Sequence, residues 1–126
     1  MQRRMLSKED EAATEDVDVR KEDQDKINKF SRLHQRETQL EDELRTKQKD
    51  KEDLEELSNE LELADEDDKI PYKIGDAFVS LPLPEVQDLL TQSTERIDSD
   101  VSALEDKLTG IRDEMQELKV ALYARF

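Results

Sequence analysis

Residues 97–122 read IDSDVSALEDKLTGIRDEMQELKVAL. Steps of four and three residues pick out Ile97, Val101, Leu104, Leu108, Ile111, Met115, Leu118 and Leu122 without a miss. A four-then-three repeat averages 3.5 residues per turn, which keeps an apolar line on one side of a helix and demands a second helix to cover it. Val101, Leu108, Met115 and Leu122 take position a, and Ile97, Leu104, Ile111 and Leu118 take position d. The stripe is a coiled-coil seam with no chemistry of its own. Gly110 falls at a c position facing solvent, at a cost of about 1 kcal/mol relative to alanine.

The covering helix lies upstream. From about Asp18, a candidate N-cap followed by Glu22 and Asp23, no glycine or proline intervenes before Pro71. The same spacing gives Phe30, Leu33, Glu37, Leu40, Leu44, Lys47, Lys51, Leu54, Ser58 and Leu61, with Ile27 and Leu57 flanking the line. Lys47 and Lys51 interrupt it. Either they carry their charges outward over apolar stems or they fix the pairing register. Residues 1–17 are polar and acidic without periodicity and are expected to form a disordered arm.

Between the helices, residues 62–69 form an acidic connector. Asp65 and Asp67 are spaced as in a calcium loop, but Ile70 and Asp76 stand where that loop needs glycine and glutamate, so a solvated connector is expected. Then the period changes. Ile70, Tyr72 and Ile74 alternate with Pro71 and Lys73; Gly75 and Asp76 intervene; Ala77, Val79 and Leu81 alternate with Phe78 and Ser80. Period two on both sides of a Gly-Asp pair predicts a β-hairpin over about 70–81, in preference to an irregular loop. Pro84 then opens a helix over about 84–126, where proline loses no hydrogen bond in the first turn.

The expected fold is mainly α: a long antiparallel two-helix coiled coil, with helices over about 18–66 and 84–126 and a β-hairpin between them. Reversal at Gly75-Asp76 pairs residues whose numbers sum to roughly 151. That places Leu61 opposite Leu90, Leu54 opposite Ile97, Leu44 opposite Leu108, Leu40 opposite Ile111 and Leu33 opposite Leu118. At 1.5 Å rise per residue each arm is on the order of 60 Å long.

Composition agrees with an elongated protein. Of 126 residues, 44% are charged and 33% hydrophobic, too few apolar groups for a large globular core. Asp and Glu outnumber Lys and Arg 35 to 20, a net charge of -15 that repels phosphate backbones and anionic lipid, so neither nucleic acid nor membrane is an expected partner. There is no cysteine, and hence no disulfide or thiolate metal site. Neither a signal peptide nor a spanning segment is read, and a soluble intracellular protein is expected.

Two surfaces remain to be covered. A lone hairpin is marginal in water and its edges invite other strands. Ile70, Tyr72, Ile74, Gly75, Asp76, Phe78, Val79 and Leu81 are therefore the candidate assembly residues. At the opposite end Ile27, Phe30, Leu122, Tyr123 and Phe126 gather with little chain left to bury them, a candidate binding tip. Enzyme chemistry is the weakest reading, because the single His34 lies at an e position, Gly75 and Gly110 make no phosphate loop, and no nucleophile, base and orienter fall together. No cofactor and no metal is expected.

Helix, acidic connector, hairpin and helix is a layout that resembles the β-type subunits of the prefoldin family. Local motifs carry the likeness: Glu22, Asp23 and Gln24 with Lys26-Ile27-Asn28-Lys29-Phe30-Ser31; Pro71 through Phe78; and Leu118-Lys119 with Leu122 through Phe126. Lys21 and Asp25 depart from the pattern, and the family continues past the position of Phe126 into a short tail. The resemblance implies a cytoplasmic heterohexamer of two α-type and four β-type subunits, joined by their hairpins. It also implies coiled-coil tips that hold unfolded actin and tubulin and deliver them to the cytosolic chaperonin without ATP. A homodimeric coiled-coil tether or adaptor is the alternative; it explains the seams but not the hairpin.

Overall fold

The computed structural model describes residues 8–65, 67–74 and 76–125, with side chains from residue 21 onward except at 74. The order is α1 (Lys8–Leu61), β1 (Lys69–Ile74), β2 (Ala77–Pro82) and α2 (Leu83–Tyr123). Two long helices therefore flank an antiparallel two-strand hairpin.

Helix α1 begins at Lys8, so Asp18 is inside the helix instead of capping it, and the arm expected over 1–17 is helical from Lys8. The stretch from Lys8 to Val17 is rich in Glu and Ala and has neither Gly nor Pro, so propensity extends the helix where no apolar face signals one. Residues 1–7 lie outside the described residues. The helix stops at Leu61, short of 66. No basic residue occupies its last turn, and the acidic side chains crowding that end oppose the helix dipole. Tight bonds from the Leu63 N–H to the Glu60 carbonyl (3.2 Å) and from the Ala64 N–H to the Leu61 carbonyl (3.1 Å) close it. The connector is then pinned by its own acids, because the Asp65 N–H donates to Asp68 Oδ2 at 3.1 Å and the Asp68 N–H to the Asp65 carbonyl at 3.0 Å.

In the hairpin, Ile70 pairs with Leu81, Tyr72 with Val79, Lys73 with Phe78 and Ile74 with Ala77. Two residues, 75 and 76, are left to join the strands; Gly75 lies outside the described residues.

The chain divides into two compact units. One combines α1 up to Gln39 with α2 from Leu108. Its helices run antiparallel, with Lys29 Nζ 2.7 Å from Glu114 Oε1 and Arg112 Nε donating to Glu37 Oε2 at 3.0 Å. Leu108 and Met115 are buried there, and Phe30, Leu33, Ile111, Leu118 and Leu122 are half-buried. The polar seam position Glu37 is also half-buried, held by Arg112.

The other unit spans Leu40–Lys107. Leu40 and Leu104 are buried, and Leu44, Leu54, Ile97 and Val101 are half-buried. The two lysines that break the seam reach across it: Lys47 Nζ lies 3.2 Å from Asp100 Oδ2 and Lys51 Nζ 2.7 Å from Asp98 Oδ1. Asp98, bonded to the Lys51 ammonium and opposite in charge, holds that group above its ordinary pKa. Both lysines thus carry their charge to the rim and mark register at once. Ser58 departs from the expected line and is exposed. Close to the hairpin the seam widens into a buried cluster of Leu61, Leu83, Val86 and Leu90.

Candidate functional site

The hairpin is the first candidate surface. Successive residues of a strand point to opposite faces. On one face Ile70, Tyr72 and Leu81 pack against the Leu61, Leu83, Val86 and Leu90 cluster and are half-buried. The helices thus seat the inner part of the hairpin. The other face carries the Lys73 and Phe78 pair, and Phe78 is 71% exposed. Val79 is exposed beside it, although its strand position groups it with the seated face. Asp76 is exposed; the side chain of Ile74 and all of Gly75 lie outside the described residues. Among the described residues the sheet has two strands, so each strand keeps one open edge.

The tip is the second surface, within the unit that combines α1 up to Gln39 with α2 from Leu108. Ile27 and Tyr123 are exposed, the latter by 68%, while Phe30 and Leu122 are half-buried at the seam. Phe126 lies outside the described residues. Lys119 Nζ sits 5.8 Å from the centre of the Tyr123 ring, a cation–π contact that holds the ring against α2. Val120 is also exposed in this part of α2. The seam pattern passes over it because it occupies an f position, where apolar residues carry no periodic signal. Leu63, 89% exposed in the acidic connector, was likewise not expected, and neither was the contact of Asp23 with Arg125.

Chemically these surfaces offer apolar contact and backbone hydrogen bonding. His34 Nδ1 is 3.2 Å from Glu37 Oε1 on an exposed face, and Arg112 engages the other oxygen of that carboxylate, so Glu37 is held between two partners as a structural contact across the seam. No helix among the described residues is long and apolar enough to cross a membrane.

Known proteins resemble this chain along most of its length. A family model for prefoldin subunits matches residues 24–126. Prefoldin subunit 4 of Homo sapiens is 42% identical over 116 residues, covering 91% of this chain and 87% of that protein. Its Saccharomyces cerevisiae counterpart is 41% identical over 105 residues, covering 83% and 81%. The crystal structure of the prefoldin beta subunit from Thermococcus strain KS-1 superposes with a TM-score of 0.76, covering 82% of this chain and 91% of that one, at 14% identity, a likeness of fold.

Proposed function

Because this chain belongs to the prefoldin family, a family of chaperone subunits and not of enzymes, we propose that it serves as one β-type subunit of a cytoplasmic heterohexamer. In that assembly the hairpin joins the other α- and β-type subunits. The tip holds unfolded actin and tubulin for delivery to the cytosolic chaperonin, without ATP.

One observation carries the reading. The hairpin is seated on its own helices by one face only, and it leaves Phe78 in solvent beside two open strand edges. A rod that merely tethers gains nothing from such a hairpin. A subunit that adds its strands to those of its neighbours covers both the edges and the aromatic ring. At the tip, Ile27 and Tyr123 are exposed apolar groups, with Val120 exposed on the outer side of α2, and such groups suit weak contacts with an unfolded chain. Several such arms acting on one client raise avidity without tight binding by any single arm, so release needs no chemical step.

Native mass spectrometry of the complex recovered from cytosol with this chain as bait tests the proposal. A six-subunit hetero-oligomer holding one copy of the chain supports it. A homodimer, or a complex with unrelated large proteins, replaces it with the tether. For the tip, truncation of Ile27, Phe30, Leu122, Tyr123 and Phe126 to alanine within an assembled complex is expected to weaken holding of guanidinium-unfolded actin. Unchanged holding refutes that assignment.

A further inference from the structure

Among the described residues Asp23 is the one charged side chain in the buried class, with 5% of its surface exposed. It lies seven residues before Phe30, on the line of the seam, where a coiled coil wants an apolar group. Its Oδ1 is buried and receives no hydrogen bond from the described residues. What faces it is Arg125, whose Nε lies 3.4 Å from that oxygen without donating to it, and whose Nη1 lies 3.7 Å from Glu22 Oε2. Arg125 stands just past the end of α2, in a turn closed by its own N–H to the Leu122 carbonyl at 3.1 Å and by the Ala124 N–H to the Val120 carbonyl at 3.0 Å. One guanidinium therefore serves two carboxylates, and the buried one is left short of a donor.

A buried carboxylate with an ill-aligned partner weakens the closed state, whereas a leucine at the same place would strengthen it. The seam is thus at its weakest where the half-buried Phe30 and Leu122 adjoin the exposed Ile27 and Tyr123. We infer that Asp23 and Arg125 form a releasable clasp, which holds the end of α2 against α1 and, on opening, adds the seam faces of Phe30 and Leu122 to the apolar area offered to a client. This inference rests on the reading of the tip as a client-holding surface.

Hydrogen exchange of the full chain assembled with its partner subunits tests the clasp, and holding of guanidinium-unfolded actin by the same complexes tests its use. R125Q strands the buried carboxylate and is expected to speed amide exchange over residues 22–33 by about tenfold or more. D23L fills the seam and is expected to slow the same amides by about threefold or more and to reduce actin holding. R125K, which keeps the charge without the Nε that faces Asp23, gives a smaller shift of the same sign as R125Q and stands in for it if that variant loses helix. Exchange that moves in the same direction in D23L and R125Q, or in neither, overturns the clasp. Slowed exchange in D23L with undiminished holding overturns its role in exposing the tip. Failure of the wild-type complex to hold actin rejects the reading of the tip itself, while the exchange data still decide whether the clasp exists.

Discussion

Replacing Val86 by alanine tests whether the hairpin is seated by the cluster beneath it. Val86 is 1% exposed and packs with Leu61, Leu83 and Leu90 under Ile70, Tyr72 and Leu81. The substitution removes two buried methyl groups, a transfer loss of about 1.6 kcal/mol at roughly 0.8 kcal/mol each. The residual cavity adds to that, but a hairpin with one face in solvent can settle into the gap, so a total of about 2 kcal/mol is expected. The comparison is Phe78→Ala. Although the larger side chain is lost, 71% of its surface is already wet, and the cost should stay within about 0.5 kcal/mol. Urea titrations of the two variants followed by circular dichroism, analysed with a common slope, measure both numbers. A cost for Val86→Ala below that of Phe78→Ala would refute the assignment of which face is seated.

Three further outcomes follow from the same geometry. Phe78→Ser should leave the helicity of the chain unchanged yet remove it from the hetero-oligomer in native mass spectrometry, whereas Val86→Ala should still assemble under conditions where it is folded. Gly110→Ala adds a Cβ that meets nothing within 4 Å in a helix and should stabilise by about 0.5–1 kcal/mol, read as a raised urea midpoint. Asp98 raises the pKa of Lys51, so the stabilising charge is fully present below the ordinary value of 10.5 and is lost as pH rises through the higher folded value; Lys51→Met should flatten the alkaline fall in melting temperature above that point, and an unchanged fall would count against the pair.

What was legible in the sequence was whatever repeats. The seam from Ile97 to Leu122 has a period, the hairpin has another, and the change between them locates the reversal. The start of α1 was not legible, because Lys8 to Val17 is helical by propensity alone and propensity without an apolar stripe leaves no phase to read. Alternation along β2 separates Phe78 from Leu81, but it cannot say which face the helices take. That choice is made by Leu61, Leu83, Val86 and Leu90, the last three of which are contributed by the opening turns of α2. Lys47 and Lys51 read as gaps in a line of leucines, and their carboxylate partners become visible only once two helices are set side by side. Asp23 was missed for a related reason: it occupies a seam position but carries the wrong chemistry for one, so a search for apolar residues steps past it.

The junction after the hairpin has a mechanical meaning. Strand β2 ends at Pro82 and α2 begins at Leu83, with no residue between them. Rings at Pro82 and Pro84 fix their own φ angles and restrict Leu81 and Leu83, and the Leu83 N–H is tied to the Asp68 carbonyl at 3.3 Å. On the other side, seven residues separate Leu61 from Lys69. The hairpin is thus welded to one helix and tethered to the other. In the proposed assembly a pull on the hairpin enters the opening turns of α2 directly and, along the chain, reaches α1 only through the connector.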